Sequence, residues 1–74
     1  MSNKISVVIE KDDFGYYAYC PELVGCQTQG DTLDDALANI KEAVDAYVAT
    51  LSDEEKKEIF SREILTASIE VVIA

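Results

Sequence analysis

Two cysteines are the side chains best suited to nucleophilic or metal chemistry in this sequence. Cys20 and Cys26 are separated by five residues, and the 74-residue chain contains no histidine. A reactive thiol needs a neighbouring cation or base to lower its pKa, and neither cysteine has Lys or Arg close by in sequence. The pair also lacks the C-x-x-C spacing and additional ligands of a zinc site. We therefore expect two inert, buried, reduced thiols and no metal site.

The carboxylates form two clusters that could serve acid-base chemistry. Asp12 and Asp13 stand in a predicted turn, and Asp31, Asp34 and Asp35 surround a predicted helix start. Aspartate is common in both settings because it hydrogen-bonds to nearby backbone N–H groups. Phosphate-binding glycine motifs are absent from the sequence as well. The sequence thus predicts a protein that is not an enzyme, with no catalytic residues and no cofactor.

Three short strands are predicted to position these residues. Ile5, Val7 and Ile9 alternate with more polar residues, which is the period of a strand with one buried face. The predicted strands cover residues 5–9, 16–20 and 26–29. Gly15 follows turn-forming residues, so the second strand should return antiparallel to the first. Pro21 ends the second strand, and Gly25 allows the turn into the third.

Two helices and a fourth strand are predicted after the third strand. Thr32 is a good N-cap for a long helix, and Ser52 with Glu55 forms a capping-box pattern for a short helix from Asp53 to about Arg62. The long helix carries one apolar stripe, expected to cover the sheet: Leu33, Ala36, Leu37, Ile40, Val44, Tyr47, Val48 and Leu51. Residues 65–73 alternate like a strand and are expected to pair beside the first strand.

The order of elements predicts the α+β class. We expect a single domain, residues 1–74, built as a two-layer β-β-β-α-(α)-β sheet with one long helix on one face. A domain of this size has a small core, which favours a homo-oligomer, either a dimer or a tetramer. The second face of the sheet is expected to be apolar and to form an interface through Val8, Val72 and Tyr16 or Tyr17.

The charge of the chain limits its partners. Fifteen acidic and six basic residues give a formal net charge of -9. Such a chain repels the phosphates of nucleic acids and attracts basic proteins, so no direct nucleic-acid binding is expected. The sequence contains no apolar run long enough for a signal peptide or a membrane span. We therefore predict a cytoplasmic protein that does not interact with membranes.

Three motifs give the chain a family resemblance. Residues 11–17 read K-x-x-x-G-Y-Y, residues 21–26 read P-E-L-x-G-C, and residues 30–32 read G-D-T before a helix with the pair Glu42 and Ala43. Together these motifs closely resemble the HicB-like antitoxin family. The resemblance implies a reduced RNase H-like sheet without nuclease carboxylates. Many members carry an additional C-terminal DNA-binding domain, and none is predicted within residues 1–74.

The resemblance also implies a function. Members of this family typically bind and mask HicA, a small basic toxin that cleaves mRNA, and an acidic chain suits such a partner. The predicted partner-binding residues are two tyrosines and four carboxylates: Tyr16, Tyr17, Asp34, Asp35, Glu42 and Asp45. The alternative is a small-molecule or peptide sensor with no toxin partner, using a cleft between residues 21–25 and the start of the long helix.

Overall fold

The computed structural model describes residues 3–74, which form an α+β fold with an antiparallel sheet and two helices. The elements are β1 (Val8–Asp12), β2 (Gly15–Tyr19), β3 (Gln27–Gly30), α1 (Leu33–Val48) and α2 (Asp53–Phe60). The α+β class and the order of these five elements are confirmed. The first predicted strand lies three residues later in the structure, and the third lies one residue later.

The sheet is an antiparallel meander in the order β1-β2-β3. Ile9 lies opposite Ala18, and Ala18 lies opposite Thr28. The tight turn between β1 and β2 is stabilised by the Asp12 carboxylate, which accepts a hydrogen bond of 2.8 Å from the Phe14 N–H. Gly15 follows with a φ of +138°, a conformation that L side chains rarely adopt. This geometry confirms the predicted hairpin.

The loop between β2 and β3 is closed by its own backbone. The Cys20 N–H donates to the Cys26 carbonyl at 3.1 Å, and the Cys26 N–H donates to the Leu23 carbonyl at 3.0 Å. Gly25 has a φ of +81°, as the predicted turn requires. Leu23 is almost completely buried, so this loop contributes to the core.

Helix α1 covers one face of the sheet. Its N-cap is Thr32, whose hydroxyl accepts a 3.0 Å hydrogen bond from the Asp35 N–H, as predicted. Ala36 and Ile40 are buried against Ala18 of β2 in a small core that also contains the two cysteines and Leu23. The predicted apolar stripe is only partly correct, because Leu33 and Leu37 remain 45% and 43% exposed.

Helix α2 begins with the predicted capping box. The Ser52 hydroxyl accepts a hydrogen bond from the Glu55 N–H, and the Glu55 carboxylate accepts one from the Ser52 N–H. The hydrogen bond from the Ser52 N–H, with a smaller contribution from the Ser52 hydroxyl, favours the ionised carboxylate and lowers the pKa of Glu55. Ile59 packs against the core from this helix.

The predicted fourth strand is wrong for the single chain. Residues 65–73 form no strand pairing within residues 3–74 and lie outside the three-stranded sheet. Val72 belongs to this segment and is 96% exposed, so the predicted contribution of Val72 to the second face of the sheet is wrong for the single chain. The alternating pattern is present, but a strand also needs a neighbour for its backbone N–H and C=O groups. The RNase H-like fold that the family resemblance implies stays a prediction.

Candidate partner-binding surface

An open depression lies where the β1-β2 hairpin, the end of β3 and the first turns of α1 meet. We call it the hairpin-end cleft, and its volume is about 610 Å³. Aromatic and acidic side chains dominate its lining: Asp12, Phe14, Tyr16, Tyr17, Asp31 and Asp35. Gln29, Ala38 and Asn39 complete its wall between β3 and α1.

Close backbone approach builds this cleft. A Cβ on Gly30 would lie 2.5 Å from the Ala36 backbone nitrogen, so the helix start and the end of β3 can meet only at a glycine. Asn39 strengthens the same junction, because its side-chain amide donates a 2.9 Å hydrogen bond to the Gln29 carbonyl. The cleft therefore has rigid walls on the side of β3 and α1.

The aromatic residues of β2 lie on opposite faces of the sheet, as their alternation predicts. Tyr16 packs against the core on the helix face, with the Lys11 ammonium 5.7 Å from the centre of its ring. On the open face, the Tyr17 and Tyr19 rings lie 5.6 Å apart, and the Tyr17 hydroxyl donates a 2.8 Å hydrogen bond to the Gln27 side chain. Tyr16 and Tyr17 both reach the cleft at its rim.

The structure brings together three of the six predicted partner-binding residues. Tyr16, Tyr17 and Asp35 share the hairpin-end cleft. Asp34, Glu42 and Asp45 are exposed on α1 outside it, and Asp45 instead lines a groove between α1 and α2. Because α1 rises about 1.5 Å per residue, Asp34 and Asp45 are about 16 Å apart along its axis. The six residues thus do not form one continuous site.

Sequence reasoning missed the most exposed aromatic residue of this cleft. Phe14 is 94% exposed at the tip of the hairpin, and Asp12 and Asp31 flank it in the cleft lining. A large aromatic residue between turn-forming residues was the available signal, because a tight turn has no interior in which to bury it. Aromatic residues are enriched at protein interfaces, so an exposed Phe14 suits protein recognition.

The comparisons with known proteins agree with the motifs. The family model described as "HicB_like antitoxin of bacterial toxin-antitoxin system" matches residues 5–71. The chain belongs to the HicB-like antitoxin family. The match of this HicB-like chain extends from β1 through both helices and includes most of the exposed C-terminal segment. No solved structure gives a significant match.

Several curated relatives resemble this HicB-like chain over most of their length. A UPF0150 protein of Helicobacter pylori is 41% identical over 70 residues, covering 95% of this chain and 97% of its own. One from Thermoplasma acidophilum is 49% identical over 55 residues, covering 73% and 80%. One from Archaeoglobus fulgidus is 36% identical over 63 residues, covering 84% and 91%. The names of these relatives state no function.

The cleft expected for a sensing domain is not where the sequence placed it. Residues 21–25 follow β2 at one end of the sheet, whereas α1 begins after Gly30 at the other end. The loop and the helix start are therefore separated by the length of the paired strands. The hairpin-end cleft lies at the helix start, and its opposite wall is the β1-β2 turn.

The two cysteines of the HicB-like domain are free and buried, as predicted. Burial in the core, with smaller contributions from the adjoining Cys26 thiol and the Glu22 carboxylate, raises the pKa of Cys20 to about 12. A thiol with so high a pKa is a poor nucleophile at neutral pH. Within residues 3–74 no helix is long and apolar enough to cross a membrane.

Proposed function

We propose that this HicB-like domain is an antitoxin that binds and masks a small basic toxin of the HicA type. The observation that carries the proposal is the family match over residues 5–71. The net charge of -9 supports it, because an acidic domain attracts a basic partner at long range. On this proposal the domain works by protein binding alone, without catalysis or a cofactor, and does not bind nucleic acid directly. We also propose that it acts in the cytoplasm.

The hairpin-end cleft is the surface we propose for the toxin. It combines Phe14, which is almost fully exposed, with carboxylates at Asp31 and Asp35. Aromatic side chains supply the apolar area of a typical interface, and carboxylates pair with the Lys and Arg residues of a basic partner. Asp34, Glu42 and Asp45 on the outer side of α1 form a second acidic surface, which we propose contributes to attraction rather than close contact.

Co-expression with a small basic HicA-like protein encoded nearby tests the function. Affinity purification should recover a complex, and the toxin's cleavage of RNA should disappear when the complex forms. An RNA-cleaving neighbour that neither binds this chain nor loses activity in its presence would contradict the antitoxin role.

Two substitutions test the surface. Phe14→Ala and Asp31→Lys should each weaken the complex by tenfold or more, since each is worth roughly 1.4 kcal/mol or more at an interface centre. Glu58→Lys is the matched control, because it makes the same change of charge at an exposed position on α2. Glu42→Lys tests whether the toxin binds the second acidic surface instead of the hairpin-end cleft. Weakening by Glu42→Lys but not by Phe14→Ala would place the toxin on the outer side of α1.

A sensing role for the domain is the second candidate function. The observation that favours it is the size of the hairpin-end cleft, which falls in the range of small-molecule sites, about 300–1,000 Å³. A thermal-shift screen of metabolites and short peptides tests it, because a ligand that binds the folded state raises the melting temperature. A shift abolished by Asp31→Lys would support sensing at this cleft.

We further propose that the domain is a homo-oligomer, a dimer or a tetramer. Support comes from the apolar residues left exposed by a single chain, above all Leu65, Ile69 and Val72. Light scattering gives the mass directly, to be compared with 8.2 kDa for one chain. A mass of one chain at all concentrations would contradict the proposal.

A further inference from the structure

The outer edge of β1 presents backbone groups that no strand within residues 3–74 pairs with. In an antiparallel pair, the N–H and C=O groups of one residue point to the same neighbour, and successive residues alternate. The Cys20 backbone N–H donates a hydrogen bond to the Cys26 carbonyl, on the β3 side of β2. By alternation, the backbone groups of Tyr17 and Tyr19 point to the other side and pair with β1. Their partners Glu10 and Val8 therefore point inward. The backbone groups of Ile9, which lies between Val8 and Glu10, and of Val7, which precedes Val8, therefore point outward.

The two sheet edges differ in how they are covered. At β3, the outward carbonyl of Gln29 already accepts a hydrogen bond from Asn39 of α1. Before β1, the Ser6 N–H points inward like the backbone groups of Val8 and Glu10, and it donates a 3.0 Å hydrogen bond to the Glu22 carboxylate. That bond extends the strand-like region of β1 toward Ile5, which gives a longer edge than the strand itself. The β1 edge is thus the more open of the two to another strand.

A groove of about 350 Å³ lies on the helix face, next to the residues that precede β1. Its apolar lining is Ile5, Val44, Val48 and Phe60, and Asn3, Asp45 and Lys56 complete it. Leu37 lies on the same side of α1 as Val44 and Val48 by helical spacing and is 43% exposed. A strand added to β1 would place alternate side chains over these apolar residues.

Residues 65–73 have the features of the missing strand. Their large apolar residues are 70–96% exposed: Leu65, Ile69, Val71, Val72 and Ile73. Four of these five have odd numbers, so an extended chain presents them on one face. Glu70 is the single charged residue of the segment. The segment therefore has no basic side chain with which to bind a nucleic acid or a lipid headgroup. The radius of gyration, 14.5 Å, exceeds the roughly 11 Å expected for a compact domain of this length.

We propose that residues 65–73 of one copy add as a strand to the outer edge of β1 in a second copy. This inference rests on the homo-oligomer of the proposed function and specifies its interface. The odd-numbered side chains of the incoming strand cover the groove lined by Ile5, Val44, Val48 and Phe60. The exchange is reciprocal, so a two-fold dimer satisfies both β1 edges and both segments at once.

The start of the segment favours a second copy over the same chain. The Arg62 guanidinium donates a 3.4 Å hydrogen bond to the Glu22 carbonyl, and its own N–H donates to the Ile59 carbonyl at 3.2 Å. These bonds fix where the segment leaves the domain, and beyond them it lies outside the chain's own sheet with its large apolar residues exposed. The longest dimension of the molecule is 49 Å. The segment is therefore positioned to reach another molecule.

Complementation between two full-length variants tests the proposal without any toxin, so its outcome is independent of the antitoxin role. Ile69→Pro disrupts the donated strand and leaves the β1 edge intact. Val7→Pro removes an outward N–H from the edge and leaves the donated strand intact. Each variant alone should be a monomer of about 8.2 kDa by light scattering, whereas a mixture of the two should form a dimer of twice that mass. Ile69→Val and Val7→Ile, which keep the N–H, should dimerise like the wild type.

Other arrangements give different results. If residues 65–73 of one molecule pair with residues 65–73 of a second molecule, the Val7→Pro variant alone remains a dimer. If the open face with Tyr17 and Tyr19 forms the interface, both variants remain dimers. If the segment folds onto its own β1, the wild type is a monomer. Each of these results overturns the proposal, as does a mixture that stays monomeric. Circular dichroism establishes that each variant is folded. If Val7→Pro unfolds, Lys11→Pro replaces it, because the Lys11 N–H also points outward by the same alternation.

Discussion

The two thiols of this domain are both buried. Cys20 is 3% exposed and Cys26 is 5% exposed, and both lie in the core beneath α1. Because burial raises the pKa of Cys20, the native thiol stays protonated where an unfolded one ionises. We expect native protein at about pH 8 to react with iodoacetamide far more slowly than unfolded protein, as measured by mass spectrometry. Equal rates would show that the core opens easily.

The same raised pKa predicts a loss of stability in alkali. Its contribution is fully present below the ordinary thiol pKa of about 9.0 and is lost as pH rises toward about 12, because only the unfolded state releases the proton in that interval. The free energy of unfolding, measured by urea titration, should therefore fall above pH 9. The fall should be shallower in Cys20→Ala. Identical slopes in the two proteins would assign the loss to other groups.

Two glycines make opposite demands, and substitutions can separate them. Gly30 lacks space, since a Cβ there would meet the α1 backbone at 2.5 Å, whereas Gly25 has open space but a φ of +81°. Gly30→Ala should destabilise the fold by about 3 kcal/mol or more through overpacking. Gly25→Ala should cost about 1–2 kcal/mol through backbone strain. Asparagine, which tolerates positive φ, should be accepted at position 25 and rejected at position 30 in the same unfolding experiment.

At the scale of elements, the two helix caps were readable from sequence and have different consequences. Thr32 starts the 16-residue helix that covers the sheet, and Ser52 starts an eight-residue helix with no fully buried residue. Each cap-to-alanine change removes one hydrogen bond, at a cost of about 1 kcal/mol to its helix. Thr32→Ala should lower the global free energy of unfolding by this amount. Ser52→Ala should mainly increase hydrogen exchange within α2, because that helix can open locally.

At the scale of the whole molecule, the net charge of -9 predicts how a basic partner finds the domain. Long-range attraction mainly raises the association rate, and salt screens it. Between about 0.01 M and about 1 M salt the Debye length falls from about 30 Å to about 3 Å. The association rate with the toxin should fall about tenfold or more over this range, with a smaller change in the dissociation rate, as measured by stopped flow. An association rate independent of salt would show that charge does not guide the encounter with the toxin.

Local physical chemistry determined much of this HicB-like domain from its sequence. Alternation, turn residues and caps predicted the hairpin, the third strand and both helices within a few residues, because each depends on neighbours along the chain. The motifs at residues 11–17, 21–26 and 30–32 likewise indicated the family, which the family model matches over residues 5–71. The buried thiols followed from residue type and from the lack of any activating neighbour.

Only the tertiary structure decided how these parts combine. It placed Tyr16 and Tyr17 at one cleft with Asp35 and added Phe14, because a close approach of Gly30 to α1 creates that cleft. It left Leu37 and residues 65–73 exposed, although their patterns predicted burial and pairing. Apolar residues at every second position show that a segment can be a strand. It cannot show which edge receives that strand, because edges are made by residues distant in sequence, and here the proposed edge belongs to a second molecule.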